Sequence, residues 1–473
     1  MGLQAGGVPP QPRAAYRPHP GVGPAGRTLR RLRRGQDATR LGAAVRPRTG
    51  GRHLRRGPRV SDAPDARDDT RSRRRLILTR ALRSTGQGVL VVDFPLYLDA
   101  LGWSGVEIGA LFTGIIITQA ALTLFVGPLS DRYGRRTFLL AYDTLLVGCA
   151  ALALATPAGW ALILAALGGG FGRGMNGGAG PFSPVEQAWL ARVTPAHRRG
   201  AIFSLNAAVG AFGMAAGALA AALPAIWQAA LPGATAYRPM FLLVAGAAIA
   251  TLGVLLSLHE PSHQPPAPSA PPRGEETRRI AKIAAVTAIN GAAIGLVTPL
   301  LTYWFLVRFG VGPARIGPVL AASFLCAGLT SLATGRLVRN GHLVRTVVLI
   351  RATAVGLLVA LPLAPTFAIA AGLLVARSAL NRGTAGARQA LELSLVSDAR
   401  RGLSATASSL ARQSARAFGP LAAGALFGGG FLGVPFYIAA GLQAAYLVIY
   451  QRVFARYEKL TPELRAVRDH APR

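Results

Sequence analysis

The sequence predicts an all-α polytopic membrane protein with twelve transmembrane helices arranged as two six-helix pseudo-repeats. Three observations carry this. About twelve charge-poor stretches run roughly 18–26 residues, long enough at ~1.5 Å per residue to cross a ~30 Å hydrocarbon layer. Arginine concentrates in alternate loops between them. A fifteen-residue motif recurs without gaps in both halves of the chain.

The expected spans are residues 76–98, 106–126, 137–155, 159–181, 200–223, 240–258, 283–306, 316–335, 346–363, 367–391, 403–428 and 432–453. They account for a composition that is 51% apolar in 473 residues, and they leave no room for a separate soluble catalytic domain. The net charge of +33 would suggest a nucleic-acid partner if it were spread over a soluble surface. Its distribution argues against that. Arg132, Arg135 and Arg136 follow span 2, Arg192, Arg198 and Arg199 follow span 4, and Arg273, Arg278, Arg279 and Lys282 follow span 6. Arg336, Arg339 and Arg345 follow span 8, Arg400 and Arg401 follow span 10, and Arg452, Arg456 and Lys459 close span 12. The loops on the other side are nearly bare, so both termini are expected in the cytoplasm of a cell (inner or plasma) membrane. Cys149 and Cys326 fall inside spans, which argues against a disulfide framework or a metal cluster.

Five segments are expected. Residues 1–74 are rich in Arg, Pro and Gly and too poor in large apolar side chains to bury a core, so they read as a disordered cytoplasmic tail. Residues 1–75 hold 19 Arg against 5 Asp, a balance of +14. That charge either binds anionic lipid headgroups or serves no role. Without a continuous apolar core, the amino terminus is not a cleavable signal peptide. A first bundle spans 75–258 and a cytoplasmic linker 259–280, whose prolines between 261 and 272 favour an extended spacer. A second bundle spans 281–458, with a cytoplasmic tail at 459–473.

Two motifs organise the chain. Glu186-Gln-Ala-Trp-Leu-Ala-Arg-Val-Thr-Pro-Ala-His-Arg-Arg-Gly200 aligns with Arg388-Gln-Ala-Leu-Glu-Leu-Ser-Leu-Val-Ser-Asp-Ala-Arg-Arg-Gly402. Between spans 2 and 3 lies Gly127-Pro-Leu-Ser-Asp-Arg-Tyr-Gly-Arg-Arg136, read as a tight hairpin with bends at Gly127 and Gly134. Its echo after span 8, Gly335-Arg-Leu-Val-Arg-Asn-Gly341, has Arg339 in the place of the acid. The hairpin's Gly-x-Leu-x-Asp-Arg-x-Gly-Arg-Arg pattern resembles the signature loop between helices 2 and 3 of the major facilitator superfamily (MFS) of transporters. The resemblance covers residues ~75–458 and implies the MFS fold, two parallel six-helix repeats with a binding cavity between them near the midplane.

The resemblance implies a gate built from Gly127, Asp131, Arg132, Gly134, Arg135, Arg136 and Glu186. Asp131 would face the amino end of helix 11 near Gly402, and Arg135 would bind Glu186. The plainer reading of Asp131 is a solvated turn residue. It also implies that helices 1, 4, 7 and 10 line the cavity, where Arg173, Arg377 and Arg382 are candidates to meet a substrate, together with Asn290. Arg377 and Arg382 are otherwise expected to pair with acids or helix-end carbonyls.

A charge near the bilayer centre costs at least ~2.5–3.5 kcal/mol, so the acids within spans stand out. Asp93 is either a proton carrier or an outer-edge residue paired with Arg308. Asp143 is a second proton-coupling candidate, with pairing to loop arginines the alternative. Arg80, Arg83 and Arg351 are expected to snorkel to the inner surface. Tyr303 and Trp304 are expected in an interfacial aromatic belt, and Gln119 in an interhelical hydrogen bond.

The function these readings imply is secondary active transport of a small solute by alternating access, proton-coupled, with an efflux antiporter as one form. The alternative is a non-transporting membrane sensor on the same fold. Expected partners are a small-molecule substrate, protons and the lipid bilayer, with no nucleic acid, for a monomer. No cofactor, metal or enzymatic activity is expected: all seven histidines lie outside the spans, and no Gly-x-x-x-x-Gly-Lys-[Ser/Thr] occurs.

Overall fold

The computed structural model describes residues 66–172, 180, 183–195, 198–260, 274–337, 343–383 and 401–458, and these form helices and turns with no strand among them. The first half contains α1 (Ala66–Ala100), α2 (Gly105–Tyr133), α3 (Arg135–Ala155), α4 (Gly159–Gly169), α5 (Ser183–Arg192), α6 (Arg199–Ala220), α7 (Pro224–Trp227), a 3-10 turn (Gly233–Tyr237) and α8 (Met240–Leu256). The second contains α9 (Gly274–Val297), α10 (Leu301–Phe309), α11 (Pro313–Leu337), α12 (Leu343–Ala360), a 3-10 turn (Leu361–Leu363) and α13 (Phe367–Gly383). It closes with α14 (Arg401–Ala417), α15 (Gly419–Gly428) and α16 (Val434–Glu458). Helix α1 begins inside the expected tail, and α9 begins inside the expected linker.

Among the described residues, seven segments are long and apolar enough to cross a membrane: Gly105–Val126, Arg135–Ala155, Arg199–Trp227, Gly233–Leu256, Glu276–Phe309, Pro313–Leu332 and Val434–Arg452. They coincide with expected spans 2, 3, 5, 6, 7, 8 and 12. Three more, Gly159–Gly169, Val347–Leu363 and Phe367–Asn381, are apolar but shorter. The stretch through α8 has a mean hydropathy of 2.3 with only 33% of its window buried inside the protein. Its outer face carries exposed Leu242, Leu243, Ile249 and Leu256, a surface that suits lipid rather than water.

Three expected spans are not continuous helices, and each break has a local cause. Span 4 stops where Gly170 turns left-handed (φ 64°), a helix-ending conformation that other residues rarely adopt, and the next described helix begins at Ser183. Span 7 is interrupted around Pro299, which cannot donate to the helical ladder, and restarts as α10. Span 11 breaks at Phe418, and Pro420 sits in the first turn of α15, where its missing N–H costs nothing. The start of α2 is a capping box: Ser104 Oγ accepts from the Glu107 N–H (3.3 Å), and Glu107 Oε2 accepts from the Ser104 N–H (2.8 Å).

Within each half, backbones meet at glycine. A Cβ on Gly88 would strike the Met214 carbonyl, and one on Gly217 would strike the Thr85 carbonyl, which brings α1 and α6 into direct backbone contact. In the second half, Gly291 and Gly295 lie in the same way on the carbonyls of Arg412 and Arg416, joining α9 to α14. Met214 and Arg416 are 202 positions apart, the same spacing that separates Glu186 from Arg388 in the sequence repeat. The two halves therefore use equivalent seams.

The halves also touch each other at the end away from the hairpin. A Cβ on Gly105 would lie 2.8 Å from the Gly424 carbonyl oxygen, and one on Gly109 would strike the Pro420 carbonyl. Thr113 Oγ1 accepts from the Leu421 N–H (3.2 Å), satisfying a first-turn donor of α15 from across the interface. Gly317 of α11 lies against Ala218 of α6, and Thr302 Oγ1 of α10 donates to the Val91 carbonyl of α1 (3.3 Å).

Replacing Gly217 with Val should destabilise the protein by about 1–3 kcal/mol or more, because the added methyls meet backbone that cannot yield. The thermal midpoint of the detergent-solubilised protein measures this. Gly246→Ala, where the new methyl enters open space, serves as the neutral control.

Candidate functional site

The hairpin turns on one residue. Helix α2 continues to Tyr133, α3 begins at Arg135, and Gly134 between them has φ 94°. Gly127 and Asp131 therefore lie on helix rather than in a bend, which corrects the expected two-glycine reversal. The side chains of Gly127's neighbour Pro128 and of Asp131 lie outside the described residues, so the expected contact of Asp131 with helix 11 does too. Arg132 is exposed, its guanidinium 5.4 Å from the centre of the Tyr133 ring.

What anchors the hairpin is Glu260, read from the sequence only as a linker residue. Its Oε1 accepts from the Arg135 N–H (3.0 Å) and its Oε2 from the Arg136 N–H (2.9 Å). An acid at the start of α3 satisfies two orphan donors and complements the helix dipole. Arg136 reaches back, donating through Nη2 to the Leu256 carbonyl (2.8 Å) and through Nε to the Leu255 carbonyl (3.3 Å). Arg75 Nη1 donates to the Ser257 carbonyl (2.6 Å). The end of α8 and the start of α3 thus cap each other.

Deeper in the first half lies an ion cluster. Arg83 of α1 donates to Asp143 of α3 through Nε (3.0 Å) and Nη2 (2.7 Å), and to Glu186 Oε2 of α5 through Nη1 (2.8 Å). The side chains are 5%, 0% and 2% exposed, respectively. Three expectations change here. Arg83 does not snorkel, because two carboxylates hold it inside. The cation on Glu186 is Arg83, where Arg135 was expected, and Asp143 likewise pairs with α1 in place of the loop arginines. Arg80 is also buried and lies against Gly210 of α6. On α5, Trp189 is fully buried one turn beyond Glu186, and its indole N–H has no acceptor among the described residues.

The second half answers this cluster with opposite polarity. Arg351 of α12 is buried, donates to Asn290 Oδ1 of α9 (3.1 Å), and lies 5.1 Å from the Tyr446 ring centre of α16. The seam glycines Gly88 and Gly295 are 207 positions apart, which places Asn290 in the register of Arg83. Asn290, a cavity candidate from the sequence, is thus committed to Arg351, and Arg351 does not snorkel.

Asp93 is 3% exposed, and neither carboxyl oxygen has a hydrogen-bond partner among the described residues. Its pocket is lined by Leu90, Phe94 and Tyr97 of α1 and by Tyr237, Met240 and Phe241 towards α8. The expected alternative, a pair with Arg308, is not formed. Arg377 sits part-buried on α13, and no described residue partners its guanidinium. Arg173 and the side chain of Arg382 lie outside the described residues. Tyr303 and Trp304 are buried, Trp304 Nε1 donating to the Leu432 carbonyl (2.9 Å), so they are core rather than an interfacial belt. Gln119 Nε2 donates to the Leu167 carbonyl (3.1 Å), joining α2 to the end of α4.

Comparison with known proteins agrees with this architecture. The family model described as Major Facilitator Superfamily matches residues 76–286, from α1 into α9. Over those residues the chain is similar to the major facilitator superfamily. Among curated proteins, the multidrug resistance protein MdtH of Yersinia enterocolitica is 29% identical over 161 residues, covering 30% of this chain and 38% of that protein. The MdtH of Photorhabdus laumondii is 33% identical over 137 residues, covering 27% of this chain and 31% of that protein. The chain thus aligns with about a third of these relatives' length. Among solved structures, the human organic anion transporter MFSD10 (TETRAN) superposes with a TM-score of 0.60 at 16% identity, covering 81% of this chain and 99% of that one. A bacterial homologue of the human lysosomal transporter Spinster, inward-facing and unoccupied, gives 0.59 at 14% identity, covering 85% and 98%. At such identities these two structures speak for the fold alone.

Removing Arg83 while leaving both acids should destabilise the protein by about 3–5 kcal/mol, the usual cost of stranding a buried charge. The same thermal assay on Arg83→Ala measures it, and an unchanged midpoint would sink the claim that the cluster holds the first half together. Glu260→Ala should cost about 0.5–2 kcal/mol, as for a lost helix cap.

Proposed function

We propose that this protein is a secondary transporter that moves a small solute across the cell membrane by alternating access. The observation that carries the reading is the seam between the halves, where Gly105, Gly109 and Thr113 of α2 meet Pro420, Leu421 and Gly424 of α15. Backbones this close, with one hydrogen bond across, form a seal at one end that rigid halves can open by rocking. With both termini in the cytoplasm, as the arginine distribution favours, this seal is the outer gate in its closed position. Expected gate residues at the opposite end are Asp131, Arg132, Arg135 and Arg136.

Proton coupling belongs to the same proposal. Asp93 and Asp143 are buried acids in helices expected to move, and the cost of an acid in a membrane interior favours a functional role. Arg377, with no partner among the described residues, favours a solute that carries negative charge, with Arg173 and Arg382 as further candidates. The matched MdtH proteins are multidrug resistance proteins, which supports export of small organic compounds. A non-transporting sensor remains the competing reading.

The test is solute and proton flux in vesicles carrying the purified full chain, across a panel of organic anions, sugars and lipophilic cations. Flux of an organic anion with accompanying proton movement is the expected result. Solute movement without protons would remove the coupling, and no flux across the panel would favour the sensor. Gly109→Val should abolish flux while leaving membrane insertion intact, since the outer seal can no longer close. Flux at the wild-type rate in that variant would overturn the role given to the seam.

A further inference from the structure

We infer that Asp93 exchanges its proton with the membrane face away from the hairpin, past Tyr237, by a route separate from the solute's path between the halves. The inference rests on the proton-coupled reading above and deepens it by naming the acid and the side from which its proton comes.

Asp93 sits about two turns before the end of α1, 3% exposed, with neither carboxyl oxygen hydrogen-bonded among the described residues. Burying a carboxylate without a counter-ion is costly, and a bound proton removes that charge. Arg238, beside Tyr237 in the chain, is committed elsewhere. It donates to the Leu154 carbonyl through Nε (3.2 Å) and to the Ala155 carbonyl through Nη2 (3.0 Å), at the end of α3. The pocket is otherwise apolar and aromatic, so it suits a proton rather than a metal cation, which needs a shell of oxygens.

The walls fix the direction of access. Val89 and Leu90 close the pocket toward the hairpin. A Cβ on Gly172, just past the end of α4, would lie 3.3 Å from the Leu90 carbonyl, so backbone covers that floor. Phe171 packs edge-on against Phe94 (ring centres 5.4 Å apart) and lies 5.7 Å from Phe241. On the other side stand two phenols. Tyr97, one turn nearer the end of α1, has a buried hydroxyl with no partner among the described residues. The half-buried Tyr237 roofs it from the 3-10 turn, the two rings 6.1 Å apart. Asp99 follows, half-buried in the last turn of α1. The cavity beside Asp93 measures about 10 Å³, room for about one water. On this route a hydronium at Tyr237 passes its proton through that water to the carboxylate, forming one O–H bond on Asp93 and leaving water.

Every residue lining the pocket belongs to the first half. The other charged or titratable groups on elements packed against α1 lie outside that lining. Arg199 of α6, Glu186 and Arg192 of α5, and Asp131 and Arg132 of α2 are toward the hairpin, as are Arg80 and Arg83 of α1 itself. Glu107 of α2, Tyr303 and Arg308 of α10, and Arg315 of α11 are at the opposite end, and α8 carries none. The second half touches α1 close by: the Val91 carbonyl, deprived of a helical donor by Pro95, accepts from Thr302 Oγ1 (3.3 Å). The proton is thus held beside a contact that opening the outer seal would break.

Carbodiimide labelling reads the site, because it converts a protonated carboxyl to a stable acyl-urea that mass spectrometry locates. Helix α16 starts beside Trp304 and runs back toward the hairpin end, so a carboxy-terminal tag marks that face. The purified full chain is reconstituted in phosphatidylcholine–phosphatidylglycerol vesicles, sorted by whether the tag faces bulk or lumen, with lumen pH clamped by trapped buffer. Dicyclohexylcarbodiimide labelling of Asp93 should follow bulk pH in tag-inside vesicles and stay flat in tag-outside ones. Labelling that follows pH on the tag side, that ignores pH on both faces, or that never occurs overturns the inference. Tyr237→Ala should let a water-soluble carbodiimide reach Asp93 from the face opposite the tag, where wild type and Tyr237→Phe exclude it. Entry from the tag side, or none in a folded variant, overturns the route past Tyr237, and the wild-type measurement stands even if Tyr237→Ala fails to fold. The coupling reading fails separately: if Asp93 labels with this sidedness while solute flux moves no protons, the route stands and the coupling falls.

Discussion

The fork of Arg83 onto Asp143 and Glu186 is the interaction on which the first half depends. In water a surface pair of this kind contributes little, because solvent solvates either charge alone nearly as well. Inside a bilayer that alternative is gone, and a separated charge must be hydrated at high cost or remain unpaired. Three helices that lie far apart in the chain are therefore held in one geometry by one side chain. The hairpin, the end of α8 and the start of α3 are arranged around that core, and their own caps finish what the cluster begins.

Elsewhere the same constraint is met by backbone. Where no side chain intervenes, α1 rests on α6 and α9 on α14, and the two halves meet along α2 and α15. Such contacts gain through close packing rather than through expulsion of water, since lipid tails are as apolar as the side chains they replace. They also differ in purpose. The seams inside a half fix it as a body, while the described contacts between halves include two hydrogen bonds, Leu421 to Thr113 and Thr302 to Val91. That difference is what the proposed rocking of the halves would require.

Fold class was legible because it rests on properties that are local in sequence: apolar run length, arginine in alternate loops and a hairpin pattern of fixed spacing. The helix breaks were less so. Gly170 and Pro420 mark two of them, yet neighbouring glycines and prolines such as Pro318 lie within continuous helix, so residue type alone does not place a break. The cluster was the hardest to read. Asp143 and Glu186 were recognised as notable, but the choice between Arg83 and nearer loop arginines depends on which helices pack together. Glu260 passed as linker because capping acids at a distance of 125 residues leave no local trace.

The Arg83 cluster also bears on how the chain enters the membrane. Asp143 follows Arg83 by 60 residues and Glu186 follows it by 103, so the first span emerges from the ribosome long before either counter-ion. At that moment its arginines face lipid unmatched, at a cost of ~2.5–3.5 kcal/mol for each one near the centre. Helix α1 is absent from the segments long and apolar enough to cross a membrane among the described residues. The tie of α1 to α3 and α5 is thus complete only once α5 is in place.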